Sequence, residues 1–97
     1  MKRHLISQPA IRDLENIVDY FSKYDVEAGE KFLTEFEKKC QYLASYPNIG
    51  RSYDDLQPFL RGLNLGKYII FYRIIDNGIE IVRVLSGYRD LESLFST

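Results

Sequence analysis

Residues Tyr68–Asp90, YIIFYRIIDNGIEIVRVLSGYRD, decide how the rest of this chain must fold. Two runs rich in β-branched and aromatic residues flank Asn77-Gly78, the dipeptide that best supplies the positive φ angles of a two-residue type I′ turn. The stretch therefore reads as an antiparallel hairpin. With Asn77 and Gly78 as its loop, Asp76 faces Ile79, Ile74 faces Ile81, Tyr72 faces Arg83 and Ile70 faces Leu85. Alternation puts Tyr68, Ile70, Tyr72, Ile74, Ile81, Arg83 and Leu85 on one side. The other side carries Ile69, Phe71, Arg73, Ile75, Glu80, Val82, Val84 and Ser86. Both sides are apolar. Helices from a chain of 97 residues are expected to cover one of them, and the surplus points to a partner.

Composition narrows the function classes. Thirteen basic and fourteen acidic residues give a net charge of −1. Residues 1–50 hold seven basic and eight acidic side chains, and residues 51–97 hold six of each. Proteins that grip a phosphate backbone unaided carry a basic excess or stripe, so direct nucleic-acid binding is disfavoured. One cysteine, Cys40, allows neither a disulfide framework nor a cysteine zinc site, and reads as a small buried hydrophobe on a helix. No cofactor motif or metal-ligand spacing is present. The start lacks a signal-peptide pattern and no stretch spans a membrane, which leads to the expectation of one soluble, cytoplasmic domain over residues 1–97.

Working outward from the hairpin, residues 4–7 read as a short strand. Ser7 then caps a helix with Pro9 just inside its start, where the missing N–H costs nothing. Ala10, Leu14, Ile17, Val18 and Phe21 recur at helical spacing over about residues 9–23. Asp25 caps a second helix, with Ala28, Phe32, Phe36, Cys40 and Leu43 on its apolar face and Ser45-Tyr46-Pro47 as its end. The two should fold back as an αα-hairpin. Pro47–Arg51 is a turn, and Leu56–Leu63 reads as a strand weakened by Pro58. Gly66 supports a turn into the hairpin, and Leu91–Phe95 forms a last helical turn. The expected fold is α+β, order β-α-α-β-β-β, a twisted and mainly antiparallel sheet with the helical hairpin on one face.

That order, the turn PNIGR, LRGL, the strand YIIFYRI and the tail VRVLSGYRD together resemble the RelE/ParE superfamily, the toxic halves of type II toxin–antitoxin pairs. The resemblance covers almost the whole chain. It implies a small bacterial toxin held inactive by a cognate, ParD-like antitoxin. RelE-like members resemble ribosome-dependent mRNA endonucleases that use a strand arginine, a later arginine and a C-terminal tyrosine at the cleaved phosphate. In register these fall on Ile69, Arg89 and about Phe95, so two of the three are replaced by side chains that neither carry charge nor transfer a proton. His4, the one histidine, reads more readily as structural than as a base. ParE-like members resemble inhibitors of DNA gyrase, with a tail close to RVLHGxRD. Residues Arg83–Asp90, RVLSGYRD, fit that tail except for Ser86 in place of His.

The resemblance thus implies a ParE-type inhibitor of gyrase with no chemistry of its own. A degenerate RelE-type nuclease and a non-toxic orphan that only binds its antitoxin stay open as alternatives. Target contacts are assigned to Arg51, Arg61, Arg83 and Arg89, each of which also has a plain reading. Arg51, Arg61 and Arg89 suit solvated surface, and Arg83 suits stacking on Tyr72 with an ion pair to Asp13 or Asp19. Antitoxin contacts are assigned to Ile69, Phe71, Arg73, Val82 and Val84, on the face expected to be open.

Overall fold

The computed structural model describes residues 3–95. Strand β1 (Arg3–Ile6) leads into helix α1 (Gln8–Ser22) and helix α2 (Val26–Ser45). The two-residue strand β2 (Arg51–Ser52) follows, then β3 (Arg61–Leu65), β4 (Tyr68–Ile75), β5 (Gly78–Ser86) and helix α3 (Leu91–Phe95). The sheet order is β1-β5-β4-β3-β2, with β1 parallel to β5 and every other pairing antiparallel. The α+β class and the helical hairpin match the sequence reading. The segment expected as a strand over Leu56–Leu63 is instead an irregular loop that enters β3 at Arg61, because Pro58 and the turn at Phe59 break the ladder.

Local capping chemistry sets the helices. The Ser7 hydroxyl accepts the Ala10 N–H at 3.2 Å, and the Asp25 carboxylate accepts the Glu27 N–H at 3.0 Å. Between the two helices Gly29 is buried, and a Cβ there would lie 3.1 Å from Ser22 Oγ and 3.3 Å from Val18. A methyl there would ask Ser22 and Val18 to give by a few tenths of an ångström. Ala28, expected on the apolar face, sits at its margin.

The hairpin register departs from the sequence reading. Ile75 pairs with Gly78, so the two-residue loop is Asp76-Asn77, and Asn77 carries the positive φ of 64°. Gly78 serves a different neighbour. A Cβ on it would lie 1.8 Å from the Arg3 carbonyl oxygen, since β1 runs directly alongside. The close approach of a distant strand thus fixes the glycine, and the turn moves back by one residue.

A bulge then offsets the far half of β5. Tyr72 pairs with Ile81 but Phe71 pairs with Arg83, which leaves Val82 as the extra residue. Past a bulge, every side chain exchanges faces relative to strict alternation. Val84 therefore joins Ile70, Tyr72, Ile79 and Ile81 under the helices, and Leu85 turns to the opposite side. The sequence reading had these two reversed.

The expectation of one uncovered face is also corrected. Phe32, Phe36, Cys40 and Leu43 of α2, with Ala10, Leu14 and Ile17 of α1, close one side. The other side is a second cluster of Leu60, Ile69, Phe71, Leu85 and Phe95, roofed by the 53–60 loop and α3. Tyr53 and Phe95 meet Phe71 edge-on, with centroids 5.1 and 4.9 Å away. Such aromatic pairs contribute about 0.5–1.5 kcal/mol each beyond area burial.

Candidate contact surfaces

The arginines assigned to contacts divide by what the fold does with them. Strand β1 ends at Ile6 while β5 continues, so the outer edge of β5 needs other partners. The α1 start supplies them. Ser7 N–H donates to Ile81 O at 3.0 Å, its hydroxyl donates to Val82 O at 2.8 Å, and Val84 N–H donates to Asp13 Oδ2 at 3.0 Å. Arg83 completes the arrangement. Its Nε and Nη2 donate to Asp13 Oδ2 and Oδ1 at 2.7 and 2.9 Å, a bidentate pair with both side chains mostly buried. The hydrogen bond to Asp13 and that carboxylate's charge raise the Arg83 pKa, and burial opposes them. Of the two readings of Arg83, the ion pair is the one the fold builds.

Arg61 is also committed. Its Nη2 donates to Asn48 O at 2.8 Å, within the turn that Tyr72 clamps. The Tyr72 hydroxyl donates to Pro47 O at 2.6 Å and accepts the Gly50 N–H at 3.0 Å. A Cβ on Gly50 would stand 2.3 Å from that oxygen, so the glycine of PNIGR is required by a side chain from the sheet centre. Arg73 donates to Gln57 Oε1, and Gln57 in turn reaches Phe95 O at 3.5 Å. These contacts tie β4 to the roof.

Arg51 and Arg89 are exposed. The Arg51 guanidinium lies 5.2 Å from the Tyr53 ring, and Arg89 stands past the end of β5 beside Tyr88, which is 88% exposed. Sequence reasoning missed Lys67. Its ammonium lies 5.4 Å from the Tyr20 ring and 5.8 Å from the Tyr68 ring, where α1 meets the β3–β4 turn. No local pattern joins residues this far apart in the chain. Its being the one lysine among the basic residues after position 50 is the only trace in the sequence. A cleft of about 410 Å³ is lined by Arg51, Tyr53, Lys67, Tyr68, Gly87 and Tyr88 among others, with no carboxylate in its wall.

The residues assigned to antitoxin contact are not assembled as an open face. Phe71 is fully buried, Ile69 nearly so, and Val84 lies in the other core. Arg73 and Val82 keep partial exposure, beside Glu80, Arg83 and Leu94 in a smaller cleft of about 270 Å³.

Ile69 and Phe95, on or near which the resemblance puts the nuclease arginine and tyrosine, meet in the same apolar cluster. Burial, reinforced by the Glu37 charge, pushes the Cys40 thiol up to about 12, so it is not a nucleophile at neutral pH. His4 lies 3.8 Å from Glu37 on the sheet edge. Among the described residues no group of His, Cys, Asp and Glu is placed to hold a metal ion, and no helix is long and apolar enough to cross a membrane.

Comparison with known proteins agrees with this architecture. Residues 5–91 match the family model described as the ParE toxin of the type II toxin–antitoxin system parDE. The chain is 35% identical over 92 residues to Toxin ParE1 of Mycobacterium tuberculosis, covering 93% of this chain and 94% of that one. It is 27% identical over 92 residues to Toxin ParE3 of Caulobacter vibrioides, covering 94% and 92%. Among solved structures, a chain of the chromosomal ParDE system from P. aeruginosa superposes with a TM-score of 0.74 at 21% identity. That match covers 89% of this chain and 96% of the other, and shows the shared fold.

Proposed function

Because this chain belongs to the ParE toxin family of type II toxin–antitoxin systems, we propose that it arrests growth by binding DNA gyrase, with no bond made or broken by its own side chains. A cognate, ParD-like antitoxin holds it inactive, and both partners are met in the cytoplasm. One observation carries the non-enzymatic reading. Where a RelE-type nuclease needs an arginine and a tyrosine, Ile69 and Phe95 occupy a closed apolar cluster. Neither can take a proton from a 2′-hydroxyl or stabilise a phosphorane, and proton transfer alone contributes about 10²–10⁴-fold to such reactions.

The proposed target contacts are Arg51 and Arg89. Arg61 and Arg83 hold the scaffold through Asn48 O and Asp13, while Arg51 and Arg89 are free to reach a partner. Planar guanidinium groups suit bidentate contact with carboxylates or phosphates. The net charge of −1 favours short-range contact over long-range steering. For the antitoxin, the cleft with Arg73 and Val82 is the part of the assigned face that a segment can reach without opening the core.

Toeprinting on purified ribosomes separates the chemistries. No site-specific mRNA break is expected at any concentration that arrests growth. Breaks that depend on this chain would establish the nuclease reading instead.

A further inference from the structure

The loop between β2 and β3 carries an aromatic side chain that burial does not explain. Phe59 has a φ of 65° and is 82% exposed. A bulky residue in left-handed backbone is an outlier that glycine would occupy without strain. An exposed phenyl ring recovers nothing from burial in return. Among the described residues the other non-glycine residue with positive φ is Asn77, of the class that tolerates it in turns.

The loop does not wander into this conformation. Asp54 Oδ1 accepts the Phe59 N–H at 2.9 Å, Tyr53 N–H donates to Leu60 O at 2.8 Å, and Leu60 N–H donates to Gln57 O at 3.2 Å. Leu60 beneath is fully buried. A hydrogen-bonded frame thus presents Phe59 outward on a fixed stalk, which is how a pre-organised anchor is built. Strain held by surrounding structure points towards function.

We propose that Phe59 is the aromatic anchor by which this chain seats on its protein target, inserting into an apolar socket with a cationic rim. The charge of the loop indicates the rim. Residues 52–60 carry Asp54 and Asp55, both exposed, and no cation. Of the flanking arginines, Arg61 is turned away to Asn48 O, and Arg51 lies over the Tyr53 ring. Enzymes that handle DNA present such basic surface, so the inference rests on the reading of gyrase as the target and adds the point of contact.

Phe59→Gly tests it, because that change relieves the backbone while removing the ring. The variant should melt at or above the wild-type temperature, yet bind purified gyrase at least about 30-fold more weakly, as loss of a central anchor does, and fail to arrest growth. A wild-type chain that arrests growth without binding gyrase removes the proposed target. Loss of arrest in Phe59→Gly would then still uphold the anchor. The inference is overturned by a variant as toxic as wild type, by one that melts lower, or by one that loses only antitoxin binding. A wild-type chain with no effect on growth overturns both readings.

Discussion

The two faces of the sheet are closed by very different means. On one, helices of 15 and 20 residues lay a continuous apolar stripe over Ile70, Tyr72, Ile81 and Val84. On the other, five residues of α3 and an irregular loop cover Ile69, Phe71 and Leu85. A five-residue helix has no stability of its own, since isolated helices below about 12 residues are marginal in water. It stays folded through Phe95 against Phe71 and through Asp90, whose carboxylate accepts from the Ser93 hydroxyl at 2.7 Å. The helical hairpin is scaffold, whereas the second roof is held by a few replaceable contacts beside the surfaces assigned to partners.

The largest expected effect breaks the idea that the second face is open. Phe71→Asp places an unpaired carboxylate in a fully buried position and should cost more than about 4 kcal/mol, enough to unfold a domain of ordinary marginal stability. A folded, soluble variant by circular dichroism would show that the roof lifts readily. Phe95→Ala should cost about 3 kcal/mol, the low end for truncating a buried aromatic side chain. Its effect should be confined to α3 and the 53–60 loop in amide exchange, with α1 and α2 as protected as before.

Arg83→Ala leaves Asp13 with only the Val84 N–H, in a site that is mostly buried. A loss of about 1–3 kcal/mol follows, read by urea denaturation. Arg83→Lys should recover part of it, because an ammonium cannot span both carboxylate oxygens.

The smallest effect concerns pH. Hydrogen bonds from the Ser93 hydroxyl and N–H, and then from the backbone of Glu92, lower the Asp90 pKa below its usual value. Its contribution to α3 is therefore complete above the ordinary carboxylate range and disappears as pH falls through the lowered value. Ring signals of Phe95 should shift towards solvent values only in that acidic window, and Asp90→Asn should remove the dependence.

Much of the scaffold is legible in the sequence because its determinants are local. Ser7 and Asp25 cap the helices, Leu91–Phe95 is helical, and the hairpin turns within one residue of the Asn77-Gly78 loop read from the sequence. What escapes is set by contacts remote in the chain. Gly78 yields to Arg3 of β1, and Val82 bulges where the edge of β5 passes from β1 to Ser7 and Asp13. Phe59 and Lys67 belong to neither apolar stripe, so periodicity says nothing of them. The assigned arginines were visible as residue types, but only their partners separate Arg61 and Arg83 from Arg51 and Arg89.

The central claim is that this chain acts through contact and not catalysis, and a gyrase cleavage assay tests it most directly. Supercoiled plasmid incubated with purified gyrase, ATP and the wild-type chain, then stopped with denaturant and protease, should accumulate linear DNA. Arg89→Ala should leave the plasmid intact while antitoxin binding persists. Uncut plasmid with the wild-type chain, under conditions where the same preparation arrests growth, would contradict the account.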